Sequence, residues 1–183
     1  TRERILYRDN RFYDSWMMLS DFEKFGGRSV GKRLMIGVMM SYKTLNGIPT
    51  KWAGVFPRNE FIGDIFFIHS LAMNTLHYAD YDAIDVAESI ERATSFGGPR
   101  MHAIQLDMVW PDPEILKRYR ENHPNIEVVI QGNARAIEVV GNSPRGFAER
   151  LRSYGDSINY VLLDKSMGRG LGMDAKGLIP FAR

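Results

Sequence analysis

Several polar residues stand where apolar runs end. They are His69 after IFFI, Gln105 and Asp107 in AIQLD, Gln131 after IEVVI and Asp164 after NYVLL. In parallel α/β proteins ligands bind at the carboxyl ends of strands, so chemistry is sought at such positions. Asp164 is followed, four residues on, by Gly168-Arg169-Gly170-Leu171-Gly172. A strand-end carboxylate beside backbone N–H groups that can line an anion suits a general acid or base. Arg169, within that loop, can pair with a phosphate, and Gly168 and Gly170 let the backbone approach it. Asp107 offers a second carboxylate, and two carboxylates on opposite faces of a substrate can move a proton across a carbon centre. His69, Asp107 and Asp164 together form an alternative donor set for a divalent ion, although the favoured site needs no metal and no cofactor. Plainer roles stand beside these: a loop-bracing aspartate and a tight glycine turn. The glycine spacing fits neither the dinucleotide fingerprint nor a P-loop. His77, His102 and His123 read as surface or strand-edge histidines.

The elements that position these residues follow from hydrophobic patterning. Strands are predicted over Leu34–Met40, Ile62–His69, Ala103–Val109, Ile126–Gln131 and Asn159–Leu163, while Leu71–Tyr81 is ambiguous. LMIGVMM at Leu34–Met40 is apolar enough to be buried on both faces. A helix is predicted from Asp82, with Ile84, Val86, Ala87, Ile90 and Ala93 facing inward, ending at Gly97-Gly98-Pro99. Asp112-Pro113 and Ser143-Pro144 are N-cap and first-turn pairs that open two more helices. Ala136–Val140 reads as a short strand or loop, and Asp174–Phe181 as the start of another helix. Ser41–Glu60 reads as a long loop. Residues 1–33 read as a helical N-terminal extension packed on the main body. Strands alternating with amphipathic helices imply crossover units on a parallel sheet.

The sequence has 183 residues, 44% hydrophobic and 25% charged, with no cysteine. That composition fits one globular domain spanning 1–183 and excludes collagen-like, disordered and disulfide-scaffold classes. Within this sequence there is no thiolate metal site, Fe–S cluster or thiol nucleophile. A net charge of +2 gives no argument for nucleic acid. No apolar run reaches the roughly 20 residues of a membrane span, and no signal-peptide pattern is present. A cytoplasmic protein that binds neither nucleic acid nor membrane is the expectation.

The stretch MHAIQLDMVWPDPEILKRYRENHPNIEVVIQ resembles the fourth strand, helix and fifth strand of phosphoribosylanthranilate isomerases. SINYVLLDKSMGRGLGMDAKGL resembles the sixth strand of that family, in which LLD precedes a glycine-rich loop and a helix start. The resemblance covers roughly residues 101–182. It implies a (β/α)8 barrel that isomerises a phosphorylated aminosugar. It also implies that Asp164 is the general acid and that Gly168–Gly172 lies beside the substrate; Gln131 and His69, by their strand-end positions, are expected as further substrate contacts. Two departures stand out. The family's general base is a cysteine at the end of the first strand, where this chain has Met39-Met40-Ser41. Asp107 stands where the family has histidine. The expected function is a sugar-phosphate isomerase or epimerase with Asp164 and Asp107 as its carboxylates. The alternative is a non-catalytic, barrel-derived ligand-binding or assembly protein. A complete barrel takes about 250 residues, so the last one or two βα units are expected beyond Arg183, or a homo-oligomer closes the sheet.

Overall fold

The computed structural model describes residues 24, 33–51, 55–66, 69–165 and 174–182. Five strands form one parallel sheet in the order β1-β2-β3-β4-β5. They are β1 (Leu34–Ser41), β2 (Ala72–Ala79), β3 (Ala103–Asp107), β4 (Glu127–Asn133) and β5 (Tyr160–Asp164). Two short helices, α1 (Tyr42–Leu45) and α2 (Ile62–Ile65), lie between β1 and β2. α3 (Val86–Gly97) joins β2 to β3, and α4 (Pro113–Asn122) joins β3 to β4. α5 (Ala134–Val139) and α6 (Pro144–Arg152) join β4 to β5, and α7 (Ala175–Leu178) follows β5. The α/β class and the parallel sheet match the expectation. The extension expected over 1–33, apart from Lys24 and Arg33, and the loop holding Gly168, Arg169 and Gly170 lie outside the described residues.

The helices share one face of the sheet. A row-by-row register aligns Val38, Leu76, Ile104 and Val128, and then Met40, Tyr78, Leu106 and Ile130. These side chains form one core with Leu45, Ile62, Ile65, Val86, Ile90, Ala93, Leu116 and Tyr119 from the helices. On the same face, Gly132 and Leu163 meet Phe147 of α6. The physical reason is handedness. Parallel crossovers are right-handed in nearly every case, so strands added always on the same side send every helix to the same face. The opposite face carries a small apolar cluster of Met73, Ala103 and Val129 with Leu162, and beyond it a polar row.

Local signals place the helices well. Asp112 accepts from Glu114 N and Ser143 Oγ accepts from Gly146 N, so both cap-and-proline pairs start α4 and α6 as their sequences require. Five expectations fail. Ser41–Glu60 is not one long loop, because Ser41 accepts from Thr44 N and starts α1 within it. Ile62–His69 is not a strand: Ile62, Ile65 and Phe66 are buried at helical spacing while Asp64 faces out, and the segment opens with α2. The strand is instead the ambiguous stretch, Ala72–Ala79. The helix after it begins at Val86, because Asp80 accepts from Asp82 N and Ile84 N and folds 80–85 into a turn with Ala83 and Asp85 at positive φ. Ala136–Val140 falls in α5, whose N-cap Asn133 accepts from Ala136 N. β1 is buried on one face only, since Met35 and Gly37 are exposed.

Gly132 is fixed by packing. A Cβ there would lie 2.7 Å from Phe147 Cζ and 3.1 Å from Leu163 Cδ2. Phe147 is fully buried and held edge-on by Trp110 and Phe181, with ring centroids 5.3 and 5.6 Å away, so it has nowhere to turn. Gly132→Ala should destabilise the fold by about 1–3 kcal/mol, and Phe147→Leu in the same chain should restore part of that loss. Urea midpoints of the two variants check this.

Candidate functional site

The carboxyl ends of the strands meet along one edge of the sheet, on the face that the helices leave uncovered. Asp107 is the last residue of β3, and its side chain is only 6% exposed. Its Oδ1 accepts from Asn133 Nδ2 at 3.0 Å, and its Oδ2 accepts from the Tyr81 hydroxyl at 3.0 Å. His77 Nε2 lies 3.8 Å from Oδ2, beyond hydrogen-bond reach but close enough for charge to act. Burial opposes ionisation of this carboxyl. The neighbouring His77, the Asn133 amide and the Tyr81 hydroxyl outweigh it and hold Asp107 below the ordinary aspartate value.

Each partner is itself fixed. Asn133 ends β4 and caps α5 through its Oδ1, so its amide nitrogen can point only at Asp107. Tyr81 follows the Asp80 turn, and the Arg135 guanidinium sits 5.5 Å from its ring centroid. Burial, then the Asp107 carboxylate it donates to, push the Tyr81 hydroxyl up to about 12, with Asp164 adding to the effect and Arg135 opposing it. Trp110, at a φ of 39°, donates from Nε1 to Ala136 O and ties the loop after β3 to α5.

Asp164 ends β5 and pairs in register with Asn133. The two carboxylates named from the sequence therefore flank the same asparagine and act on the same phenol. Asp164 is half-buried, Asp107 enclosed. Below them runs the polar row. Gln105 Nε2 is 3.2 Å from His77 Nε2 and donates to Gln131 Oε1 at 2.7 Å. Gln131 is thus internal, two residues before the end of β4 rather than at it.

His69 does not join the site. It precedes β2, where the expected strand does not exist, and parallel strands put that position at the opposite edge. There its Nδ1 accepts from Leu71 N at 3.1 Å. The set His69, Asp107 and Asp164 is consequently not assembled, and among the described residues no group of three His, Cys, Asp or Glu side chains is placed to hold a metal ion. His77, Tyr81 and Asn133 are the contributors that patterning missed. Their signal was present: Thr75-x-His77, Gln105-x-Asp107 and Gln131-x-Asn133 put polar side chains at every second position of successive strands. No family model, curated protein or solved structure matches this chain. No described helix is long and apolar enough to cross a membrane.

A carboxyl held below its unfolded value stabilises the fold above that unfolded value, about 3.9, and loses this contribution as pH falls through the lower folded value. Asp107→Asn should therefore flatten the acid limb of stability against pH. Urea midpoints measured down the acid range check this, and an unchanged limb would show that Asp107 does not carry it.

Proposed function

We propose that this chain is a sugar-phosphate isomerase or epimerase working by general acid–base catalysis at the carboxyl edge of the sheet. The observation that carries the proposal is the convergence of Asp107, Asp164 and His77 around Tyr81 and Asn133. Asp164, half-buried at the strand end, is the general acid, in agreement with the position the resemblance gives it. Asp107 stays ionised and enclosed, which suits it to hold a neighbouring cation rather than to carry a proton itself. His77 is the general base. It pairs in register with Met39, in the Met39–Ser41 stretch that corresponds to the family's cysteine, so an imidazole stands beside the position the thiol would occupy. In the reaction His77 takes a proton from the carbon next to the carbonyl or imine, and Asp164 protonates the departing or enolising oxygen. His77 then returns its proton to the neighbouring carbon while the ionised Asp164 takes the remaining hydroxyl proton of the enol, which forms the new carbonyl and restores both groups.

The barrel belongs to the same proposal. Sequential strand order with all helices on one face supports a (β/α)8 arrangement over a doubly wound sheet, whose strand order reverses at a switch point. The phosphorylated substrate rests on the resemblance. One observation favours the second reading, a non-catalytic ligand-binding protein: both oxygens of Asp107 are already engaged by internal donors.

Turnover separates the two. With phosphoribosylanthranilate and related ketose phosphates as substrates, Asp164→Asn should cost about 10²–10⁴-fold in kcat without unfolding the protein. Wild-type turnover that survives the substitution unchanged would reject the acid role. Calorimetric binding with no turnover in the wild type would reject the enzyme and leave the binding protein.

A further inference from the structure

The chain has four histidines, and their hydrogen bonds fix which ring nitrogen carries the proton. His69 Nδ1 accepts from Leu71 N at 3.1 Å, and His102 Nδ1 accepts from Asn74 N at 2.9 Å. A backbone N–H can only donate, so both rings carry their proton on Nε2 when neutral. His123 Nε2 lies 2.6 Å from Glu91 Oε2. A carboxylate can only accept, so this ring too is protonated on Nε2. His77 is the opposite case. Its Nε2 faces Gln105 Nε2 at 3.2 Å, and an amide nitrogen has two hydrogens and no lone pair to offer. One hydrogen goes to Gln131 Oε1 and the other to His77. The ring must accept at Nε2 and carry its proton on Nδ1.

We propose that Gln105, anchored by Gln131, is a positioning residue that holds neutral His77 in the Nδ1–H form and releases it to Asp107 when it is protonated. Gln105 and Gln131 are 1% and 2% exposed, so no water competes for the amide. Protonation at Nε2 would bring two N–H groups face to face. Asp107 Oδ2 stands 3.8 Å from that nitrogen, and a small ring movement closes the gap. Among the described residues, the groups that bear on His77 are few. From β1 its register neighbour is Met39, which carries no charge. From β3 come Gln105 and the Asp107 carboxylate. Past β2 the Tyr81 hydroxyl shares Oδ2, with Arg135 over its ring and Asp164 on its far side. Gln105 must give up the Nε2 lone pair before a substrate proton can reach it, and the protonated ring then has Asp107 as its acceptor.

This rests on His77 being the base of the proposed reaction, but its test needs no substrate. In ¹⁵N-labelled full-length protein on the alkaline side of the histidine titrations, His77 should show an unprotonated Nε2 and a protonated Nδ1. The other three rings, with the reverse pattern, serve as internal controls. Gln105→Met and the isosteric Gln105→Glu should each convert His77 to the Nε2–H form. A wild-type His77 already in that form, or one that keeps Nδ1–H in either variant, overturns the positioning role. In an active wild type, Gln105→Glu should also displace the pH profile of kcat/KM, which a purely structural glutamine would not do. An inactive protein whose His77 is Nδ1–H rejects the reaction and retains the positioning role. An active one whose His77 is Nε2–H does the reverse.

Discussion

Right-handed crossover is the constraint on which the rest of this structure depends. With strands added in chain order, every described helix from α1 to α7 falls on one face of the sheet. That face takes the large apolar side chains, Leu76, Ile104, Leu106, Val128 and Ile130 among them. The other face is released from packing against helices and can carry polar groups. The polar row from His77 through Gln105 to Gln131, with Asp107 and Asn133 at its edge, occupies this second face. Topology decides where chemistry is allowed before any side chain is chosen.

A polar row inside a sheet is costly unless every group is satisfied. Here satisfaction is reached by giving residues two duties. Asn133 ends a strand, caps α5 and donates to Asp107. Gln105 serves two acceptors with one nitrogen. Asp80 folds the turn that brings Tyr81 over Asp107. Such sharing makes the cluster rigid. Loss of one partner strands another, because a buried group left without its hydrogen bond costs more than the bond itself contributed.

The sequence was most legible where a single local rule operates. Asp112-Pro113 and Ser143-Pro144 start helices through bonds that span two or three residues, and largely apolar runs mark β1, β3 and β4. Asp107 and Asp164 were visible as strand-end carboxylates. What escaped depends on the two-faced character of the sheet. β2 reads AMNTLHYA, apolar toward the helices and mixed on the other face, so a search for apolar runs passes over it and settles on IGDIFFIH. The histidine on the site's face is therefore His77, two residues before the end of β2, whereas His69 precedes β2 and lies at the opposite edge. The turn at 80–85 was hidden for a similar reason: apolar spacing at Ile84 and Val86 suits a helix, but the Asp80 carboxylate captures the backbone first.

On the proposed isomerase reading, the absence of a thiol takes on a different meaning. A cysteine at the end of the first strand would present its base from β1. In this chain β1 offers Met39 and Met40 there, and the titratable ring stands one strand over, in the same row as Met39. An imidazole is larger than a thiol and needs two flanking contacts to keep one orientation, and β3 supplies both, Gln105 beside the ring and Asp107 past it. The aspartate at the end of β3, where the resembling family has histidine, fits that exchange. With the ring on β2, a second histidine at Asp107 would add a like charge, while a carboxylate held ionised stabilises the protonated ring. On that proposed reading the two departures from the resembling family's pattern are one change in physical terms, because the Asp107 carboxylate then faces a cation-forming partner, His77, 3.8 Å away.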